Sequence, residues 1–290
     1  DGESGNGRVA PLAEMLAVGG AERVLESLAR IDQLVQRGYY ATAMEDAYYA
    51  LDFAPTYLPV HLRMADILIK EGHEQAALNK YAVVAESYRV RGNAAEAASI
   101  LQSVVRLAPM DLGVRNKLVD LLASQNKTDE ALSQYLDMAE VYFQLADLDM
   151  ARTTYTNALR LAQKSSVDRA WSVQILHQMG DIDMQKLDWR QALRVYDQIK
   201  TLAPGDEKAR DMLVNLNFRL GQARQALAEL DDYLRFLLGQ GRAEQAVKLV
   251  EELVRNRPEE HALRPRLAQA YKEAGRKEDA VAQLDALAET

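Results

Sequence analysis

The chain has 290 residues, of which 48% are hydrophobic and 27% are charged, a balance that predicts a folded protein and not a disordered one. It contains no cysteine, which excludes disulfides, a thiol nucleophile and metal sites built on thiolates. The net charge is −8 and no lysine- or arginine-rich stretch stands out, so the sequence shows no sign of binding nucleic acid or an anionic membrane surface.

Internal repeats organise almost the whole sequence. A shift of 54 residues aligns positions 60–109 with positions 114–163 without a gap, and a shift of 149 aligns the same stretch with positions 209–258. In the first alignment Tyr81 meets Tyr135, and Ala85 meets Ala139. Self-similarity at a fixed spacing is typical of repeat proteins, in which each unit packs only against its neighbours.

A finer repeat consists of nine alanines, each five residues after a turn position. The alanines are Ala43, Ala77, Ala97, Ala131, Ala151, Ala192, Ala226, Ala246 and Ala280, with spacings of 34, 20, 34, 20, 41, 34, 20 and 34 residues. The turn positions are Gly38, Gly72, Gly92, Asn126, Ala146, Leu187, Gly221, Gly241 and Gly275. Glycine and asparagine favour the left-handed end of a helix, and only a small side chain fits where two helices cross closely. We therefore expect helices that end at the turns and cross at the alanines.

These features resemble the tetratricopeptide repeat, a helix–turn–helix unit of 34 residues. The segment from Gly180 to Pro204, GDIDMQKLDWRQALRVYDQIKTLAP, is the best single match, and the resemblance covers about residues 21–290. It implies an all-α fold, namely a right-handed α-solenoid superhelix of about fifteen antiparallel helices. We expect a continuous array over residues 21–290 and a leader at residues 1–20, in which residues 11–18 could add a short capping helix.

The alanine spacings of 20 residues are too short for two separate helix pairs. We therefore predict that the second helix of one repeat also serves as the first helix of the next. Arg89, Phe143 and Leu238 replace the usual closing proline at these places, which suits a helix that continues. Continuous helices are predicted over 74–91, 128–145 and 223–240. The seven extra residues of the 41-residue spacing are placed in a lengthened helix near 168–186.

Catalytic motifs are absent from the sequence. It has no phosphate-binding glycine loop, no zinc-protease motif and no nucleophile elbow. His177 could face a groove, but a lone histidine rarely acts in catalysis without an orienting partner. We expect no enzyme, no catalytic residue, no cofactor and no metal.

Aromatic residues cluster in the first repeat. They are Tyr39, Tyr40, Tyr48, Tyr49, Phe53 and Tyr57. We interpret them as packing of the first helix pair and cover for the end of the array. A stacking platform for a ligand is the alternative.

The resemblance also implies a place for a partner, because in the family the first helix of each pair lines the concave face. The polar stripe on these helices is the candidate partner-binding site: Asp32, Arg63, Asp66, Lys70, Lys117, Asp120, His177, Gln178, Asp181, Gln185, Asn215, Arg219 and Gln269. Four of its middle positions are aspartates, which would repel a terminal carboxylate. The stripe therefore does not resemble the carboxylate clamp of chaperone-binding members. We expect its N-terminal part to favour basic side chains or free amides, and a merely solvated helix face is the alternative.

The function that the resemblance implies is a non-catalytic, cytoplasmic interaction scaffold that binds a peptide or helix of a partner protein on the concave face. The alternative is a regulatory sensor, whose array binds a peptide or small ligand and controls an attached domain outside this chain. An open groove would favour the scaffold, whereas an enclosed apolar pocket with converging polar groups would favour the sensor.

Overall fold

The structure is a computed structural model that describes residues 21–165 and 167–288. Within these ranges the chain forms fifteen α-helices and no strand, which confirms the predicted all-α fold and helix number. The helices are α1 Ala21–Gln36, α2 Tyr40–Phe53, α3 Leu58–Lys70, α4 Glu74–Val90, α5 Ala94–Leu107, α6 Leu112–Ser124, α7 Thr128–Gln144, α8 Leu148–Lys164, α9 Arg169–Gln185, α10 Trp189–Leu202, α11 Glu207–Arg219, α12 Ala223–Gly239, α13 Ala243–Asn256, α14 Leu263–Glu273 and α15 Lys277–Ala288.

The chain divides into two compact units, with the boundary between Val141 and Tyr142 inside α7. Unit 1 contains α1 to α6 and most of α7, and unit 2 contains the end of α7 and α8 to α15. Within each unit a helix packs mainly against its neighbours in sequence, as expected for a repeat protein. A single continuous array over residues 21–290 stays a prediction.

All nine predicted turn positions adopt the left-handed backbone conformation. The six glycines have φ between 71° and 83°, and Asn126, Ala146 and Leu187 have φ of 58°, 60° and 59°. At Leu187 the amide donates to the Met184 carbonyl (3.1 Å), and the next amide, that of Asp188, donates to the Asp183 carbonyl (2.9 Å). Such paired hydrogen bonds satisfy the last carbonyls of the preceding helix. A large residue therefore takes the geometry of glycine at this turn, against its own steric preference.

The nine alanines are buried, as predicted from their size. Eight of them are at most 1% exposed, and Ala280 is 9% exposed. Gly180 of α9 allows an even closer approach, because a Cβ atom there would lie 2.8 Å from Cζ of Tyr196 on α10. Small residues thus mark the places where neighbouring helices come nearest.

The three shared helices are uninterrupted. They are α4, α7 and α12, each of 17 residues, and they begin and end within one residue of the predicted bounds. Each follows one turn and runs to the next without a break, so the prediction of continuous helices is confirmed.

The seven extra residues are divided between two helices, so their placement in a single helix near 168–186 was wrong in part. Helix α9 has 17 residues, four more than the 13 of α3, α6 and α11. Helix α8 has 17 residues, three more than the 14 of α2, α5, α10 and α13. Ala162 lies in the added part of α8 and is buried, so the extension is packed. The added residues are thus shared between two helices that follow each other in the chain.

The aromatic cluster of the first repeat is not uniformly buried. Tyr57 is 5% exposed, as the packing interpretation requires, but Tyr39, Tyr48 and Tyr49 are 60%, 59% and 47% exposed, and for them the interpretation was wrong. The buried face of α2 consists of three alanines at positions 43, 47 and 50, so positions 48 and 49 lie on the other side of the helix. The predicted leader and its helix at 11–18 lie outside the described residues.

Candidate functional site

The predicted stripe falls into two sets, one in each unit. Unit 1 holds Asp32, Arg63, Asp66, Lys70, Lys117 and Asp120, and unit 2 holds His177, Gln178, Asp181, Gln185, Asn215, Arg219 and Gln269.

In unit 1, Arg63 of α3 bridges two aspartates of the stripe. Its Nε atom lies 2.7 Å from Oδ1 of Asp32 on α1, and its Nη1 atom lies 3.5 Å from Oδ2 of Asp66. The hydroxyl of Tyr81 on α4 donates a hydrogen bond to Asp66. Both carboxylates therefore already contact donors of the same chain, while Lys70 at the end of α3 is exposed.

A tyrosine follows three of the aspartates at a distance of 15 residues. The pairs are Asp66 with Tyr81, Asp120 with Tyr135 and Asp181 with Tyr196. In the third pair the Tyr196 hydroxyl donates to Oδ1 of Asp181 (3.1 Å). In the second, burial and then the charge of Asp120 raise the pKa of Tyr135. A buried phenol needs an acceptor, which gives Asp66 and Asp181 a structural role that the sequence interpretation missed, although the spacing itself was visible.

A cavity of about 470 Å³ lies among α4, α5 and α6 of unit 1, and we call it the groove cavity. Its lining is Ala82, Ala85, Glu86, Arg89, Ala94, Ala97, Leu101, Val114, Lys117, Asp120, Leu121 and Ser124. The alanines, the leucines and Val114 give it an apolar floor. Its five polar and charged residues, which include Lys117 and Asp120 of the predicted stripe, are all exposed. The cavity is therefore open to solvent on its polar side.

A second cavity of unit 1, of about 320 Å³, is lined by residues of α1, α3, α4 and α5. Arg63 and Asp66 contribute to it, together with the buried rings of Tyr57 and Tyr88. Burial, and then the charge of Glu96, raise the pKa of Tyr88 to about 12. The phenol therefore stays protonated at neutral pH and can act only as a neutral hydrogen-bonding group.

In unit 2, His177 and Asp181 of α9 both contact the start of α11. His177 Nε2 lies 2.8 Å from Oδ2 of Asp206, whose Oδ1 accepts from the amide of Ala209 and so caps the helix. Lys208 Nζ lies 2.8 Å from both carboxylate oxygens of Asp181. These contacts link α9 to α11 and give His177 the orienting partner that the sequence did not reveal. His177 and Gln178 also line a shallow cavity of about 510 Å³.

Three further stripe residues of unit 2, Asn215, Arg219 and Gln269, also have partners in the chain. Asn215 accepts a hydrogen bond from Arg257 Nη2 (3.0 Å), and Gln269 donates to Glu273 (2.6 Å). The guanidinium of Arg219 lies 4.0 Å from the centre of the Trp189 ring, a cation–π contact. Gln185, the last residue of α9, is exposed.

Two buried arginines, Arg115 and Arg210, have a structural role that the sequence analysis did not foresee. The Nε atom of Arg115 donates to the carbonyl of Pro109 (2.9 Å), and its Nη1 lies 3.2 Å from Asp137. Arg210 makes the same contacts with the carbonyl of Pro204 (2.9 Å) and with Asp232. The signal was a basic residue six positions after each closing proline. The arginine ties the end of one helix to the next two helices of the repeat.

The described residues contain neither a cluster of metal-binding side chains nor a helix suited to cross a membrane. In residues 21–165 and 167–288 no three histidine or acidic side chains come together in an arrangement that could hold a metal ion. In the same part of the chain, no helix combines the length and the apolar character that crossing a membrane requires.

Comparison with family models gives three matches to the tetratricopeptide repeat, over residues 85–141, 132–165 and 237–290. No curated protein matches the sequence.

Many solved structures show some likeness to the chain. RapI in its apo form has 10% sequence identity, 90% coverage of this chain and 98% of that one, and a TM-score of 0.37. A MamA protein has 18% identity, coverage of 55% and 90%, and a TM-score of 0.31. PilF of Pseudomonas aeruginosa has 14% identity, coverage of 75% and 93%, and a TM-score of 0.28. Likeness at this level says nothing about function.

The three family matches agree with the nine left-handed turns, nine buried alanines and fifteen helices of the described residues. The chain is a member of the tetratricopeptide-repeat family.

Proposed function

We propose that the protein is a non-catalytic interaction scaffold that binds a peptide or helix of a partner protein along the predicted concave face, and that the groove cavity of unit 1 takes the partner's main apolar side chain. The tetratricopeptide repeat is generally a protein-interaction module, which supports a scaffold in the broad sense. The single observation that supports this site is the groove cavity itself, with its apolar floor and exposed polar rim.

The volume and lining of the groove cavity suit an anchoring side chain. A cavity of about 470 Å³ can enclose a leucine or an aromatic ring, and its apolar floor would release water when filled. Binding energy at protein interfaces is concentrated in a few such buried anchors with a polar surround. Lys117 and Asp120 would then fix the direction of the bound segment through hydrogen bonds at the rim.

The in-chain contacts narrow the set of stripe residues that are proposed to contact the partner. Asp32, Asp66, Asp181 and Asn215 already accept hydrogen bonds or ion pairs from the chain itself, whereas Lys117 and Asp120 are exposed at the groove cavity. We therefore expect Lys117 and Asp120 to contribute most of the polar recognition. The preference for basic side chains or free amides then rests mainly on Asp120.

The regulatory sensor has less support. A sensor of small ligands would need an enclosed pocket with converging polar groups, and the polar side of the groove cavity is exposed. The cytoplasmic location stays a prediction, which cell fractionation would test.

The test selects peptides of twelve residues from a random displayed library on the intact protein. The selected peptides are then measured against Lys117→Glu, Asp120→Lys and the control Lys164→Glu, which changes an exposed lysine of unit 2. We expect the two groove variants to weaken binding by about tenfold or more, since each removes a charged hydrogen bond, and the control to have no effect. If no peptide is selected, or if the selected peptides bind all three variants as well as the parent protein, the proposal is wrong.

A further inference from the structure

A pocket of about 560 Å³ in unit 1 lies on another face of α4 from the groove cavity, and we call it the basic pocket. The start of α3 and the loop before it form one wall, and the side chains of α4 form the other. Leu58 and Val83 give it an apolar surface, and Val83 is 67% exposed. The charged or titratable residues among its described lining are His61, Lys80 and Arg91, so every one of them is basic.

This lining is unusual for its surroundings. The first 150 residues carry 13 lysines and arginines against 22 aspartates and glutamates. Burial lowers the pKa of the Lys80 ammonium, because the cation loses part of its hydration, and no carboxylate is found to oppose that effect within the described residues. Arg91 is held at the rim by its hydrogen bond from Nη2 to the Thr56 carbonyl (3.0 Å).

The other repeats show what this pocket lacks. The shifts of 54 and 149 residues carry His61 onto Arg115 and Arg210, and Val83 onto Asp137 and Asp232. In both of those repeats the arginine pairs with the aspartate, so a carboxylate of the chain itself occupies the site.

The repeat with the basic pocket keeps the framework of this arrangement. His61 Nε2 lies 2.8 Å from the Pro55 carbonyl. Arg115 and Arg210 contact the carbonyls of Pro109 and Pro204 in the same way. The aspartate, however, is replaced by Val83, and Gln134 and Glu229 are replaced by Lys80. His61 and Val83 thus stand in place of the internal ion pair, and Lys80 adds a cation without an internal carboxylate at position 83.

We propose that the basic pocket is a docking site for an acidic segment of a partner protein, with one carboxylate of the partner beside Lys80 and an adjacent apolar side chain against Val83 and Leu58. The partner's carboxylate takes the place that Asp137 and Asp232 occupy in the other repeats. This site is independent of the groove cavity, since the two share no lining residue.

Val83→Asp is the decisive variant, because it restores the internal carboxylate. Two other repeats have an aspartate at the equivalent position, Asp137 and Asp232, and Val83 is exposed, so the fold should tolerate the change. The new carboxylate would neutralise Lys80 one turn away and occupy the pocket. Val90→Asp is the matched control, since it adds the same charge to an exposed position of the same helix, outside the described lining of the pocket. Lys80→Gln removes the cation and copies Gln134.

The measurement follows backbone amide signals of the isotope-labelled full chain by NMR during titration with two probes, acetyl-Leu-Asp-Leu-amide and acetyl-Leu-Asn-Leu-amide. We expect the Asp peptide to shift the signals of Thr56, Lys80, Val83 and Ser87, and the Asn peptide to bind at least about tenfold more weakly. Val83→Asp and Lys80→Gln should weaken the Asp peptide by a similar factor, while Val90→Asp should stay within about twofold.

Several results would overturn the proposal. They are the absence of shifts at millimolar peptide, shifts elsewhere in the chain, equal binding of the two probes, and equal binding by the parent protein and Val83→Asp. Acetate that competes as well as the peptide would show a site for small anions and not for a protein segment. A parent protein that dimerises in light scattering, with a monomeric Val83→Asp variant, would show that a second copy of the chain fills the pocket.

Discussion

Replacing Gly180 by alanine tests how closely two helices of unit 2 approach. The new Cβ atom would lie 2.8 Å from Cζ, 3.0 Å from Oη and 3.1 Å from Cε2 of Tyr196. The ring is fully buried, and its hydroxyl is held by Asp181 at 3.1 Å. It cannot move aside without disturbing both its packing and this hydrogen bond.

Two opposing effects set the size of the change in stability. Overpacking a core by one methyl group costs about 1–3 kcal/mol. Alanine is favoured over glycine in the interior of a helix by about 1 kcal/mol. We therefore expect Gly180→Ala to lower the free energy of unfolding by up to about 2 kcal/mol in the parent protein. In a Tyr196→Leu background the clash is gone, and the same substitution should raise it by up to about 1 kcal/mol.

The assay is urea unfolding followed by circular dichroism for the parent protein, both single variants and the double variant. Gly239→Ala is the control, because a Cβ atom at that helical glycine would meet nothing within 4 Å. The sign of the Gly180→Ala effect should reverse between the two backgrounds. If the substitution has the same effect in both, the close approach of α9 and α10 does not limit this position.

Two further predictions concern charge burial and backbone strain. Burial, and then the charge of Glu252, raise the pKa of Asp211, so its ionised carboxylate destabilises the folded state at neutral pH. Asp211→Asn should therefore increase the free energy of unfolding at pH 7. This increase should disappear as the pH falls through the raised pKa towards the ordinary value of 3.8. A pH-independent effect of Asp211→Asn in urea titrations would contradict this cause. Leu187→Gly should stabilise the protein by about 0.5–1 kcal/mol, because it removes the steric strain of a left-handed backbone and the lost side chain is exposed. Gly221→Ala at an equivalent turn should destabilise the protein by a similar amount. Opposite shifts of the melting temperature are the expected readout, and shifts in the same direction would rule out backbone strain as the cause.

The fold was largely predictable because the residues that end each helix and mark each helix crossing form a local sequence pattern. A left-handed turn and a small residue five positions later recur nine times, and even Ala146 and Leu187 could be assigned from the register alone. The three shared helices could be predicted as well, because an alanine spacing of 20 residues leaves room for only one helix between two turns. The division of seven residues between α8 and α9 was not predictable, because it depends on which added turns find a packing surface in three dimensions.

The candidate site was less accessible from the sequence. A polar residue on a helix face looks the same whether it awaits a partner or already has one. Asp66 was assigned to partner binding, yet it accepts the hydrogen bond of a tyrosine on the next helix. The basic pocket was also missed, since His61 and Val83 gain their meaning only when the ion pairs at the equivalent positions of other repeats are seen.

The lengthened pair formed by α8 and α9 shows how this architecture can change its dimensions. Ala151 is the fourth residue of α8, and Asp181 is the fifth residue counted back from the end of α9, the same positions as in the other repeats. All the added residues therefore lie next to the connection between the two helices. Three residues on one side and four on the other add one turn to each, about 5 Å. A helix pair can therefore be lengthened by seven residues beside its connection, by natural variation or by design. The crossings at the recurring alanines, such as Ala151, then keep their register.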